Sequence, residues 1–122
     1  MPRPAFPSLT ALVLAGAVAA LTAGCGGSGG GGAVTLRPGE AIGMKSLRFK
    51  PDHVQVTVGQ TVTWRNEEGI GHDVKADSGA TFSSQTFGKD GTFRWTPAKA
   101  GTVKYECTLH PGMDGTIDVV AN

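Results

Sequence analysis

Three side chains able to bind a transition metal lie within seven residues near the C-terminus. Cys107, His110 and Met113 form the pattern C-x-x-H-x-x-M. A thiolate, an imidazole and a thioether make a soft donor set that suits copper. Electron-transfer copper sites of this kind use two imidazoles, one thiolate and a weak axial thioether. The loop is one imidazole short, and the upstream His72 is the candidate for the missing ligand.

Chance and zinc binding are the two alternatives for this motif. The chain has only three histidines, two cysteines and three methionines, so their meeting in seven residues is not expected from composition. A lone cysteine is most often a small buried hydrophobe, but the methionine offset and the Pro-Gly pair inside the loop favour a metal site. Zinc prefers Cys, His or carboxylate ligands, and the methionine therefore argues against it.

Other residues with chemical potential have simpler interpretations. His53 precedes a predicted strand, far in sequence from the metal motif, and is predicted to be a surface histidine. Met44 is predicted to pack in the core or at its edge. Trp64 and Trp95 are predicted core aromatics, and an electron path through either is the alternative. No Ser-His-Asp or paired-carboxylate pattern is visible, so we do not expect an enzyme.

The first 24 residues are typical of an export signal. Arg3 supplies a positive start, residues 9–21 are apolar, and small residues precede Cys25. The end of this segment resembles a bacterial lipobox, which implies that Cys25 is acylated and becomes the mature N-terminus. Thr22 departs from that motif, where leucine is usual. Ordinary signal-peptide cleavage with an incidental Cys25 is the alternative.

Residues 25–33 are predicted to form a flexible glycine-rich tether behind the lipid. A disulfide between Cys25 and Cys107 is not expected, because it would join a flexible tail to a ligand loop. Removing the signal leaves about 98 residues, enough for one domain, here residues 34–122. Setting Arg3 aside, the remaining Lys and Arg balance the 10 Asp and Glu, so neither nucleic acid nor a charged lipid surface is an expected partner.

The predicted domain is all-β. Short segments alternate apolar and polar residues and are separated by Gly, Pro and Asp, as in residues 54–58, 62–64, 103–107 and 116–120. About seven such strands in fewer than 100 residues predict an antiparallel β-sandwich. The predicted core comprises Leu47, Phe49, Val54, Val56, Val58, Val62, Trp64, Val74, Phe82, Phe87, Phe93, Trp95, Val103, Tyr105, Ile117 and Val119, with some of these facing out.

Residues 42–120 resemble a cupredoxin of the plastocyanin, amicyanin and pseudoazurin type. The resemblance rests on the V-x-V-G-x-T-V-x-W pattern of residues 56–64, on His72 with its following Asp and Val, and on the C-x-x-H-P-x-M loop. It implies a Greek-key antiparallel β-sandwich of about seven to eight strands with a mononuclear blue copper centre. His72, Cys107 and His110 would be the equatorial ligands and Met113 the axial one, with one copper per chain.

One residue departs from the family pattern next to the metal. Asp73 stands where the family commonly has asparagine, and its carboxylate could accept a hydrogen bond from Thr108 while adding negative charge near the copper. We therefore expect a lower reduction potential than in an Asp73→Asn variant, because charge close to a metal tunes its potential. A solvated carboxylate without effect is the alternative.

The resemblance implies a monomeric one-electron carrier, and the export signal and lipobox predict that it is tethered to a membrane, outside the cytoplasmic membrane or in the periplasm. A rim of small and apolar residues around His110 would dock redox proteins transiently, as small interfaces of that kind do. This predicted partner patch comprises Ile70, Gly71, Leu109, Pro111 and Gly112. Two other functions stay open: copper storage or delivery, and a metal-free interaction module.

Overall fold

The computed structural model describes residues 32–122. The predicted signal segment, the lipidation site at Cys25 and most of the tether lie outside the described residues. In the described part, no helix is long and apolar enough to cross a membrane.

Within residues 32–122, nine strands form two packed sheets. They are β1 (Val34–Thr35), β2 (Ala41–Lys45), β3 (Arg48–Lys50), β4 (His53–Thr57), β5 (Val62–Asn66), β6 (Lys75–Ser78), β7 (Thr92–Trp95), β8 (Gly101–Glu106) and β9 (Asp114–Val120). The five-stranded sheet has the order β1-β4-β9-β8-β6, and the four-stranded sheet has the order β3-β2-β5-β7. The predicted all-β sandwich is confirmed.

Alternation along the strands produces the single core between the sheets. In β9, Gly115, Ile117 and Val119 are buried and the residues between them are partly exposed. A side-chain period of two turns every second residue inward, so each strand contributes one apolar face. The buried hydrophobic residues are Leu36, Ile42, Met44, Phe49, Val54, Val56, Val62, Trp64, Val74, Val103, Tyr105, Cys107, Met113, Ile117 and Val119.

The core differs from the prediction at several positions. Leu47 was predicted inside but is 47% exposed, because it lies with Ser46 in the β2–β3 turn, where both residues have positive φ. Five other predicted core residues are only partly buried and pack against the rim of the core: Val58, Phe82, Phe87, Phe93 and Trp95.

The strand pairing is mixed, where the sequence predicts an antiparallel arrangement. β1 with β4, β2 with β5, and β4 with β9 pair in parallel. Apart from the antiparallel pairs β2–β3 and β8–β9, each strand is followed by one in the other sheet. Strands from separate crossings therefore come to lie side by side in the same direction. Alternating hydrophobicity reports which face is buried but not the direction of the neighbouring strand.

His53 lies on the outer face of β4, next to the buried Val54. Its Nε2 is 2.7 Å from an Asp118 carboxylate oxygen on the adjacent strand β9, and both side chains are about one-third exposed. The histidine therefore pairs across the sheet surface instead of facing the metal motif.

Candidate metal centre

The four predicted ligands come from two connections at one end of the sandwich. His72 lies between β5 and β6, where its backbone N–H and C=O pair with Phe87 at 3.2 and 2.9 Å. Cys107 directly follows β8, and Met113 directly precedes β9. Because β5 and β8 belong to different sheets, the side chains of these connections meet between the two sheets.

Backbone hydrogen bonds close the loop that contains the other three ligands. The Cys107 N–H donates to the Met113 carbonyl at 2.9 Å, and the Met113 N–H donates to the His110 carbonyl at 3.1 Å. Gly112 has φ of +87°, a left-handed conformation that glycine adopts without strain. The loop is therefore shaped by its own backbone contacts before any ligand binds.

Three potential ligand atoms converge in this region. One atom each from His72, Cys107 and His110 lies within 4.8 Å of the other two. The Cys107 Sγ is 3.8 Å from His72 Nδ1, and the two imidazole rings have centroids 4.9 Å apart. Metal bonds to nitrogen and sulfur of about 2.0–2.3 Å allow one ion to contact all three atoms after small adjustments.

The site is almost closed to solvent. His72 is fully buried, and Cys107 and Met113 are 2% and 1% exposed, whereas His110 is only partly buried. The structure thus places Met113 inside the protein at the end of the same loop as Cys107 and His110. Two imidazoles, a thiolate and a buried thioether form a donor set that fits one copper ion.

Hydrogen bonds set the tautomer of each imidazole. His72 Nε2 is 2.7 Å from Glu68 Oε2, and His110 Nε2 is 3.1 Å from the Gly71 carbonyl oxygen. A carboxylate and a carbonyl only accept, so each Nε2 carries the proton. Both Nδ1 atoms then keep a lone pair for a metal, which is how partners beyond the ligands usually orient metal-bound histidines.

Glu68 is the residue at this site that the sequence analysis missed. Besides His72, its carboxylate accepts the backbone N–H of Leu47 at 3.3 Å and that of Ser46. Partial burial alone would raise the pKa of Glu68, but the hydrogen bonds from His72, Leu47 and Ser46 together outweigh it and lower the pKa. An ionised carboxylate therefore ties the buried imidazole to the β2–β3 turn.

The only signal for Glu68 in the sequence is its place four residues before a ligand histidine. That spacing has meaning on a helix, where residues i and i+4 are neighbours. No helix forms at residues 68–72, so the contact depends on the path of a loop.

The Cys107 sulfur receives hydrogen bonds from backbone N–H groups. The Asp73 N–H points at Sγ with an N···S distance of 3.5 Å, and a backbone N–H of Leu109 also contributes. Burial raises the pKa of the Cys107 thiol, and these N–H groups offset only part of that rise. The metal-free residue is therefore a thiol at neutral pH, and a metal ion must displace its proton.

Asp73 joins the two ligand connections. One carboxylate oxygen accepts the Thr108 N–H at 2.6 Å, and the other accepts the Thr108 hydroxyl. Asp73 is 9% exposed, so this negative charge is nearly buried beside the thiol. Asp73, which follows the predicted ligand His72, thus holds Thr108, which follows the predicted ligand Cys107.

Apolar side chains surround the exposed edge of the site. Ile70 and Leu109 are 45% and 47% exposed, and Pro111 and Gly112 are also exposed. Leu47 extends this rim, because it lines one cleft of about 380 Å³ together with Pro111 and Gly112. Of the four large hydrophobic residues that are exposed in the described chain, three therefore belong to the connections at the metal end.

Known proteins with related sequences contain copper. Residues 39–120 match the family described as copper binding proteins, plastocyanin/azurin family. Amicyanin from Paracoccus denitrificans is 32% identical over 82 residues, which cover 64% of this chain and 63% of that protein. Amicyanin-alpha from Methylorubrum extorquens is 30% identical over 118 residues, covering 91% of this chain and 99% of that one.

Solved structures agree with the sequence relatives. The oxidised form of a proline-to-alanine variant of amicyanin superimposes with a TM-score of 0.61 at 30% identity, covering 73% of this chain and 83% of that one. The chain spans a little under two thirds of the Paracoccus denitrificans amicyanin but nearly all of amicyanin-alpha. With the converging ligand atoms, these matches show that the chain belongs to the plastocyanin/azurin family of copper-binding proteins.

Proposed function

We propose that the chain is a one-electron carrier with a single type 1 copper held by His72, Cys107, His110 and Met113. The observation that carries the proposal is the convergence of the His72, Cys107 and His110 ligand atoms within 4.8 Å in a nearly closed site. Bound copper would supply a Cu(I)/Cu(II) couple. The surrounding residues would hold the ligand side chains in position.

The protein residues limit rearrangement during electron transfer. Glu68 fixes the His72 ring, the Asp73 N–H holds the sulfur, and the Asp73 carboxylate holds Thr108. Ligands that are held by hydrogen bonds as well as by the metal move little when the metal gains or loses one electron. Small rearrangement means a low barrier to electron transfer, which supports a carrier over a storage protein.

Electrons would enter and leave at the exposed rim. His110 is the only predicted ligand that is not fully buried, and the partner patch surrounds it. A small apolar contact of this kind suits brief docking to redox proteins. Four protein ligands leave no open position where a substrate could bind the metal, and this supports a carrier instead of an enzyme.

Attachment to a membrane is a separate part of the proposal. The export signal in residues 1–24 and the acylated Cys25 would place the domain outside the cytoplasmic membrane, on its glycine-rich tether, as a monomer. A Cys25→Ser protein should leave the membrane fraction. Its continued presence there after salt washing would contradict the lipid anchor.

Reconstitution with Cu(II) tests the carrier proposal. We expect an intense blue colour and a reversible one-electron wave. Cys107→Ser should abolish the colour, whereas the matched Cys25→Ser change should leave it intact, because Cys107 is the proposed copper ligand and Cys25 is the proposed lipidation site. A colourless protein that binds Cu(I) tightly would show copper storage or delivery, and a protein that binds no copper would show an interaction module.

A further inference from the structure

An unbroken series of aromatic contacts crosses the core. Tyr105 packs edge-on against Trp64 with ring centroids 5.3 Å apart. Trp64 then contacts Phe82 at 5.4 Å, and Phe82 contacts Trp95 at 4.9 Å. All three separations lie in the range of direct aromatic packing.

Trp95 lies toward the end of the sandwich away from the metal site and Tyr105 lies nearer to that site, although both rings contact Phe82, at 4.9 and 6.3 Å. Tyr105 is two residues before Cys107, so both side chains lie on the inner face of the chain at the metal end. Trp95 pairs with Val62, the first residue of β5, whereas Asn66, the last residue of β5, contacts Ile70 beside the metal. The separation along a strand of five residues is about 15 Å.

Trp95 also reaches the surface. It is half-buried and lines a groove of about 440 Å³ together with Ala98 and Gly101. The chain has two tryptophans and one tyrosine. Because Trp64 is fully buried and Tyr105 is 1% exposed, Trp95 is the one accessible residue among these easily oxidised aromatics.

We propose that Trp95, Phe82, Trp64 and Tyr105 form an internal electron path through which bound Cu(I) repairs one-electron oxidation of Trp95. The inference rests on the proposed copper site for its electron source, but it adds a protective function at the opposite end of the molecule. Electron tunnelling weakens exponentially with distance, so contacts that divide the route into short gaps make it effective.

The four residues have different tasks. The indoles of Trp95 and Trp64 are transiently oxidised and then reduced again, because tryptophan is readily oxidised by one electron. Phe82 is too hard to oxidise and acts as a bridge. Tyr105 is also a bridge, because its oxidation needs a proton acceptor, and the side chain that interacts with its buried hydroxyl, the Trp64 indole, can only donate.

Electrons balance at each step. A radical oxidant would take one electron from Trp95, an electron would pass from Trp64 through Phe82 to refill Trp95, and Trp64 would in turn be reduced past Tyr105 by Cu(I) held at the proposed site. Any proton that the Trp95 indole loses to water returns when the ring is reduced. With azide radical as the oxidant, the net reaction converts azide radical to azide ion and Cu(I) to Cu(II).

Pulse radiolysis with azide radical tests the path on the copper-loaded protein. Absorbance of the tryptophan radical should decay by a first-order process with Cu(I) bound, matched by growth of the Cu(II) colour. The radical should persist in protein loaded with redox-inert Zn(II). Mass spectrometry should then find oxidised Trp95 in the Zn(II)-loaded protein and little or none in the Cu(I)-loaded protein.

Variants separate the path from general packing. Trp95→Phe should lose the initial tryptophan radical, and Phe82→Leu should form the radical but lose its fast repair. Phe93→Leu is the matched control, since Phe93 packs on Trp64 and Phe82 at the side of the route. Phe93→Leu removes the same side-chain volume as Phe82→Leu but should keep the fast repair of the Trp95 radical. Thermal unfolding and the blue colour confirm that each variant is folded and loaded.

Two results would overturn the inference while leaving the carrier proposal intact. One is a normal blue protein in which the Trp95 radical lives as long with Cu(I) as with Zn(II). The other is repair whose rate rises with protein concentration, which would mean transfer between molecules. Failure to bind copper at all would instead contradict the proposed function.

Discussion

Replacing Asp73 by asparagine isolates the effect of one buried charge on the copper potential. The two side chains have nearly the same shape, and the asparagine oxygen still accepts the Thr108 N–H that Asp73 accepts at 2.6 Å. The backbone N–H that points at the Cys107 sulfur is unchanged. The second contact reverses direction, because the asparagine Nδ2 donates to the Thr108 hydroxyl oxygen instead of accepting from it. The substitution therefore removes the charge and keeps both residues paired.

The magnitude follows from the position of that charge. For an assumed separation of about 7 Å from bound copper and an effective dielectric constant of about 20, a unit charge would contribute about 2.4 kcal/mol, or about 100 mV for one electron. The carboxylate favours Cu(II) over Cu(I), so its removal should raise the potential. Because solvent reaches one side of the site, we expect a rise of about 40 to 90 mV.

Protein-film voltammetry at neutral pH measures the shift. Asp114→Asn is the matched control, since it removes an exposed carboxylate next to the predicted ligand Met113. Salt screens exposed charges strongly and buried ones weakly. The Asp73→Asn shift should survive high salt, and any Asp114→Asn shift should shrink. An unchanged or lower potential in Asp73→Asn would refute the reasoning.

Three further predictions concern the surroundings of the metal. Glu68→Gln keeps an acceptor for His72 and removes a charge, so voltammetry should show a potential about 40 mV higher; Glu67→Gln, which changes an exposed neighbour, should shift it less. Gly115→Ala places a Cβ against the buried Tyr105 ring, where there is no room for it, so denaturant unfolding should show a loss of about 1–3 kcal/mol in the free energy of unfolding. Copper in 100-fold excess over its dissociation constant should stabilise the fold by about 2.7 kcal/mol in thermal unfolding.

Controls sharpen these three tests. Gly88 has open space where a Cβ would lie, so Gly88→Ala should leave stability nearly unchanged, and equal losses in both glycine variants would contradict the Tyr105 contact. Equal potentials for wild type and Glu68→Gln would show that this carboxylate is not electrostatically coupled to the metal. Copper should not stabilise Cys107→Ser to the same extent; full stabilisation would place the metal elsewhere.

Local patterns carried most of the fold prediction. Alternation identified the strands around Val56, Trp64 and Ile117, because a buried face imposes a period of two on the residues themselves. The same alternation could not show that β4 and β9 run parallel. It also assigned Leu47 to the core, and that prediction was wrong. A turn with positive φ interrupts the alternation at Leu47 and directs its side chain outward.

The sequence by itself determined the donor types and their spacing in Cys107, His110 and Met113, because a short loop brings its own residues together whatever surrounds it. Only the tertiary structure decided which groups support them. The Glu68 contact with His72 and the aromatic series that ends at Trp95 join segments whose separation follows no period. Such contacts depend on how loops and sheets pack, and that information is distributed over the whole chain.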